Sequence, residues 1–179
     1  MSRPLRRPTA RAKWEHEGVD RAFDRFTDAA FIAERERFHM ASVSENGWPD
    51  AQHRGGPSGF LKMLDKRTLA FADFRGNRQY ISLGNVAADD RMALILMDQP
   101  NCARLKILAR LAVRDLLDAP ALAEALALLG YQAVPERAFV LSLRAFDWNC
   151  TQHITPRFTG AEIAAFVAPI QARVVELEI

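Results

Sequence analysis

The side chains best suited to hold an anion lie in the stretch Leu69–Asn85, LAFADFRGNRQYISLGN. Leu69–Phe74 reads as an apolar strand and Tyr80–Asp89 as a short helix. Between them runs Arg75-Gly76-Asn77-Arg78-Gln79. A helix N-terminus offers N–H groups without intrahelical acceptors and the positive end of a dipole, and two arginines add forked, charge-assisted donors. Gly76 would let the backbone turn tightly and a ligand approach closely. The competing reading is a solvated turn with surface arginines, and the residues alone leave both open.

Other chemistry finds little support. His16, His39, His53 and His153 show no HxxxH spacing, and Cys102 and Cys150 no CxxC, so no metal site is expected. Gly55-Gly56-Pro57-Ser58-Gly59 lacks the Gly-Lys-Ser/Thr ending of a P-loop and reads as a flexible connection. No Ser/His/Asp set or carboxylate pair stands out. In a reducing compartment both cysteines are most simply free thiols.

The elements that must position these residues belong to one domain. A chain of 179 residues buries a real core, and the expected division is a basic tail over 1–20 and a single domain over 21–179. The tail carries Arg3, Arg6, Arg7, Arg11 and Lys13 but no hydrophobic run, so it is no secretory signal. A net charge of +2 does not imply a nucleic-acid binder. Met92–Met97 is too short to span a bilayer. A cytoplasmic protein is expected.

Strands are expected at Phe38–Ser44, Asp50–Arg54, Phe60–Leu64 and Leu69–Phe74, with an Asn46-Gly47 hairpin signal between the first two. Arg91–Asp98 is a nearly continuous apolar run, read as a strand covered on both sides. Cys102–Asp115 alternates, with Leu105, Ile107, Ala109, Leu111 and Val113 on one face and Arg104, Lys106, Arg110 and Arg114 on the other. Ala138–Trp148 is the last long strand. Helices are expected from Thr27 or Asp28 to about Arg37, over Pro120–Leu129, and after the capping box Thr159-Gly160-Ala161-Glu162. The last has Ile163, Phe166 and Val167 on its apolar side, and Pro169 should kink or restart it. About six antiparallel strands with inserted helices suggest a barrel or sandwich.

The segment HRGGPSGFLKMLDKRTLAFADFRGNRQYISLGN, followed by DDRMALILMD and RLKILARLAV, resembles the pyridoxamine 5′-phosphate oxidase-like family of flavin-binding split barrels. Asp147–Phe158, DWNCTQHITPRF, resembles the C-terminal signature of one subgroup. The likeness runs from about His39 to Phe158. It implies a mainly β fold, a six-stranded antiparallel split barrel with flanking helices, in a homodimer that holds FMN at its interface.

Two departures argue against pyridoxamine phosphate as the substrate. Gln52-His53-Arg54-Gly55-Gly56-Pro57 stands where the oxidase has a basic motif ending in lysine. Ser82 stands near the place of the family's phosphate-binding lysine.

Carried onto this chain, the resemblance implies FMN contacts from Arg54, Phe74, Arg75, Asn77, Arg78, Gln79, Ser82, Trp148, Gln152 and Arg157. Arg75, Arg78, Gln79 and Ser82 would take the phosphate, and Phe74, Trp148 and the Phe60–Leu64 strand the ring. Arg54 and Arg75 would stand near the charge of the reduced ring, and His53 and His153 would face a small-molecule substrate. The implied activity is flavin-dependent oxidoreduction between a nicotinamide or small organic donor and an unknown acceptor. A flavin- or haem-binding module without turnover is the alternative. A nucleic-acid reading through Arg104, Lys106, Arg110 and Arg114 lacks interleaved aromatics for base stacking, and neither nucleic acid nor membrane is expected as a partner.

Overall fold

The structure, a computed structural model, describes residues 22–24, 27–76, 79–148 and 152–177. The basic tail over 1–20, Asn77, Arg78 and Cys150 lie outside the described residues.

Seven strands form one antiparallel sheet: β1 (Arg37–Val43), β2 (Pro49–Gly55), β3 (Lys62–Asp65), β4 (Thr68–Phe74), β5 (Arg91–Asp98), β6 (Ala103–Arg114) and β7 (Pro135–Trp148). Their order is β2-β1-β5-β6-β7-β4-β3. The fold class is the expected one, with seven strands in place of the six of a split barrel; the strand expected at Phe60–Leu64 forms as β3, which has four residues and pairs only with β4 at the sheet's edge. The β1–β2 turn forms at Asn46-Gly47 as the sequence predicts. Gly47 sits at φ 82°, where glycine is favoured, and the Ser44 N–H donates to the Trp48 carbonyl at 2.9 Å.

The sheet curls on itself. β1 and β4 are four strand spacings apart, about 19 Å in a flat sheet, yet the rings of Phe38 and Phe71 lie 5.2 Å apart. The order stays open, with β2 and β3 as unpaired edges. Inside the curl, Phe38, Phe71, Phe139, Leu94, Leu105 and Ile107 are fully buried. The predicted inward face of β6 is correct, with Leu105, Ile107, Ala109 and Leu111 buried and Val113 half-buried. A bulge between Leu108 and Ala109 lets β7 bend around it.

Four helices complete the described chain: α1 (Thr27–Ala33), α2 (Ile81–Ala88), α3 (Pro120–Leu126) and α4 (Gly160–Leu177). α1 stops short of the expected Arg37, which enters β1 instead. Its first turn is capped from Asp24 rather than from Thr27 or Asp28. Asp24 Oδ1 accepts the Thr27 N–H at 2.8 Å, and Asp28 Oδ2 accepts the Asp24 N–H at 2.7 Å. α2 is tied to β1 by a buried bond from Asn85 Nδ2 to Ser42 Oγ, 2.9 Å. α3 ends at Leu126, three residues early, and covers Ala70, Ala72 and Ala138. The capping box of α4 forms: the Glu162 N–H donates to Thr159 Oγ1 at 3.2 Å, and the Thr159 N–H to Glu162 Oε2 at 2.7 Å. α4 continues through Pro169 as one helix.

One expectation is met only halfway. Met92, Leu94 and Leu96 of β5 are buried, but Ala93 and Met97 are half-buried and Ile95 is 37% exposed. Among the described residues no helix covers that outer side. No helix of the described residues is long and apolar enough to cross a membrane.

An ion pair joins the chain after α1 to the end of β5. Arg35 Nη1 lies 3.3 Å from Asp98 Oδ2, and Asn101 donates to both Asp98 oxygens at 3.1 and 3.0 Å. Burial resists ionisation of Asp98, but the Asn101 bonds and the Arg35 charge outweigh it and hold the carboxyl below its ordinary 3.8. A folded-state value below the unfolded one gives stability that is present above 3.8 and lost as pH falls through the folded value. Asp98→Asn is therefore expected to cost about 1–3 kcal/mol near neutral pH, with the gap from wild type closing as pH falls below 3.8. Thermal melts across that range check it; a gap independent of pH contradicts it.

Candidate functional site

The site is built around Arg54. From the edge strand β2 its guanidinium reaches across the open side of the curl. Nη1 donates to Asp73 Oδ1 on β4 at 3.0 Å, and Nη2 to Ser82 Oγ on α2 at 3.1 Å. The guanidinium carbon stands 5.4 Å over the Phe139 ring. Arg54 Nε is buried and has no hydrogen-bond partner. A buried donor without a partner costs about 1–3 kcal/mol, and Arg104 Nε is in the same condition.

Asp73 is 7% exposed. Burial pushes its carboxyl above the ordinary 3.8, more than Arg54 and Arg137 pull it down. Arg137 Nε stands 3.8 Å from its second oxygen. A charge in the otherwise apolar strand LAFADF was the sequence signal for this residue, because a lone buried carboxylate is rare unless paired. Sequence reasoning missed it.

Ser82 is 2% exposed, and its oxygen accepts from Arg54, which leaves its hydroxyl hydrogen to donate. It lies in the first turn of α2, where the N–H groups of Ile81, Ser82 and Leu83 have no intrahelical acceptor. The residue before the helix is Tyr80, in the left-handed region at φ 51°. For a tyrosine this is strain of roughly 1–3 kcal/mol. It is held by a bond from Tyr80 Oη to Glu136 Oε2, 3.0 Å, and by Arg137 4.7 Å over the ring. The turn needs no glycine at Gly76: its φ is not left-handed, and a Cβ there would meet nothing within 4 Å.

Arg54, Asp73, Phe74, Gln79 and Ser82 line one cavity of about 70 Å³, together with Gln52, Tyr80 and Phe139. That is about two waters' share of liquid volume: room for a phosphate-sized group and not for a tricyclic ring. A second cavity of about 150 Å³ shares Arg54, Asp73 and Phe74 and adds His53, Phe60 and Phe71. Gly56 serves this side, since a Cβ there would stand 2.8 Å from the Phe60 ring. The His53 and His39 rings lie 5.8 Å apart across β1 and β2. Among the described residues no group of three or more His, Cys, Asp or Glu could hold a metal ion.

The remaining expected residues are placed elsewhere. Arg75 is outside the 70 Å³ cavity, with Nε 3.1 Å from Glu136 Oε1. Burial resists ionisation of Glu136, yet the bonds from Arg75 and Tyr80 hold its carboxyl below the usual range. Asn77 and Arg78 lie outside the described residues. Trp148 donates from Nε1 to Asp28 Oδ1 at 3.0 Å and meets Phe31 edge-on at 4.6 Å. Gln152, His153 and Arg157 follow it and are exposed; His153 has φ 64°. Cys102 Sγ lies 3.4 Å from the Ile154 carbonyl and ties this segment to the β5–β6 turn.

From Phe139 to Trp148, β7 advances about 30 Å. One chain therefore holds the Arg54–Ser82 cluster near one end of β7 and Trp148 at the other, and does not bring them together.

The comparisons agree with this architecture. HupZ of Group A Streptococcus superposes with a TM-score of 0.55 at 11% identity, over 76% of this chain and 100% of that one. An FMN-binding protein of Syntrophomonas wolfei gives 0.51 at 13%, over 67% and 81%. A candidate pyridoxamine 5′-phosphate oxidase of Lactobacillus delbrueckii gives 0.53 at 16%, over 70% and 93%. At such identities the likeness shows the fold alone. No curated protein matches the chain. The sequence profile described as pyridoxamine 5′-phosphate oxidase matches residues 27–141, from the start of α1 into β7 and across every strand that carries the Arg54 cluster. The chain belongs to the pyridoxamine 5′-phosphate oxidase family.

Proposed function

We propose that the protein is an FMN-dependent oxidoreductase that works as a homodimer. The observation that carries this reading is the cavity of about 70 Å³ that Arg54, Ser82 and the start of α2 line together. A phosphate there would receive a charge-assisted bond from Arg54, a hydroxyl bond from Ser82 and N–H groups of the helix end. Asp73 holds the guanidinium in place, and Arg137 stands 3.8 Å from the other Asp73 oxygen. Phe74 offers an apolar wall beside the cavity for a ring outside it.

A second copy supports the reading in two ways. It could bring its own Trp148 to the first copy's Arg54 end, which one chain cannot do. It would also cover the outer side of β5, whose continuous apolar run is the pattern of a strand buried on both faces. The bound flavin would supply the hydride or electron transfer itself.

The test is spectral. Protein as purified, or after incubation with FMN, should show the flavin's visible bands, and anaerobic NADH or NADPH should bleach them. Protein that stays colourless after excess FMN contradicts the reading; bound flavin that neither donor reduces favours a holder without turnover.

A further inference from the structure

α4 is an 18-residue helix, about 27 Å long, that its own chain leaves almost bare. Among its described side chains only Val167 is even half-buried. Ile163, Phe166, Ile170, Val174 and Leu177 follow one another at steps of three, four, four and three and make a single apolar stripe. Each of them is about half exposed or more, with Phe166 at 78%.

A helix in a protein draws most of its stability from packing of its apolar face rather than from propensity. Pro169 weakens this one, because it lacks the N–H for one backbone bond and crowds the preceding turn, at about 3 kcal/mol. The capping box at Thr159 and Glu162 returns only about 1 kcal/mol. The helix therefore needs a surface over its stripe.

We propose that the stripe is covered by the same stripe of a second copy, as an antiparallel α4–α4 pair. Three observations favour that occupant. The stripe is self-complementary about its midpoint: with Ile170 on the two-fold axis, Phe166 faces Val174 and Ile163 faces Leu177, so a large side chain meets a small one and the rest match. This is the isologous arrangement that a two-fold dimer requires. The steps of three and four are those of helices that pack knob into hole at a shallow angle. The apolar area is also of the right size. Five such side chains expose on the order of 500 Å² per chain, which is at the upper end of what a monomer leaves open. Two stripes together reach about 1,000 Å², the floor for a specific interface. The pairing does not depend on the flavin reading.

The test uses full-length protein with Cys102→Ser and Cys150→Ser. In that background Ile170→Cys should form an interchain disulfide when the thiols are oxidised with diamide, because the two sulfurs meet at the axis. Ala168→Cys, on the opposite side of the helix, should give less than about a tenth as much. Absence of the cross-link at 170, or equal cross-linking at 168, overturns the proposal. That includes the case in which the stripe lies on the partner's sheet. In the cysteine-containing protein, Phe166→Glu with Ile170→Glu should weaken self-association at least about tenfold in sedimentation, an effect of one buried apolar anchor. Since neither side chain is buried in its own chain, the monomer's far-UV spectrum should keep its strand signal. Unchanged association with the fold intact overturns the proposal. If the protein binds no flavin but cross-links at 170, the flavin reading fails alone.

Discussion

Arg54→Leu is expected to weaken FMN binding by at least about 100-fold and to destabilise the fold by about 3–5 kcal/mol. The two effects have separate origins. Binding falls because the charge lining the cavity and the Nη2 bond that orients Ser82 both go, and each bond from a charged donor is worth about 1.5–3 kcal/mol. Stability falls because Asp73, already resisting ionisation through burial, is left with Arg137 at 3.8 Å as its main counter-charge. The double variant Arg54→Leu with Asp73→Leu separates them. Removing both members of a buried pair is often near neutral, so the double variant should melt within a few degrees of wild type and still bind no FMN. Flavin titration and thermal melting of the two variants are the measurements. A single variant that binds FMN like wild type, or a double variant that regains binding, contradicts the assignment.

Phe71→Ala is expected to cost about 3–5 kcal/mol of stability, the range for emptying a buried aromatic position. Phe71 is 2% exposed and sits among Phe38, Phe60 and Phe139, with ring centroids at 5.2, 6.4 and 5.3 Å. These rings come from β1, from the loop before β3 and from β7, so their cluster is what closes the curl of an unclosed sheet. Three aromatic contacts vanish together, and a sheet with free edges at β2 and β3 cannot collapse inward without breaking strand pairing. For a chain of this size each kcal/mol moves the melting temperature by about 2–4 °C, so a fall of about 10 °C is expected. Leu117→Ala, at a 91% exposed position, should stay within about 0.5 kcal/mol of wild type. A Phe71→Ala loss below about 1 kcal/mol would show that the sheet is held in another way.

Much of the fold was legible in the residues. Strict alternation fixed the faces of β6, an Asn-Gly pair placed the first hairpin, and a capping box began α4 where it does. Boundaries were harder. α1 and α3 end early because their neighbours in sequence were claimed by β1 and by the turn around Gly130, a tertiary choice that local propensity does not contain. β5 taught the opposite lesson: its sequence asks for cover on both sides, and one chain supplies one.

The site was half legible. The strand–turn–helix at Phe74–Ser82 and the Arg54 strand could be found from residue types. Asp73, Glu136 and Arg137 could not be joined to them, because five strand spacings separate β2 from β4 in the sheet and only its curl brings them together. Trp148 was legible as a large residue ending a strand, but its bond to Asp28 depends on where α1 folds back. Gly76 invited a conformational argument that the backbone does not need; the strained residue is Tyr80, a side chain with no local reason to sit at φ 51°.

The central claim is that the cavity between Arg54 and Ser82 grips the phosphate of a flavin. Parallel titrations of the protein with FMN and with riboflavin, the same ring without the phosphate, test it most directly. The account predicts saturable FMN binding, one per chain, at least about 100-fold tighter than riboflavin. Equal affinity for the two, or no binding of FMN, would contradict it.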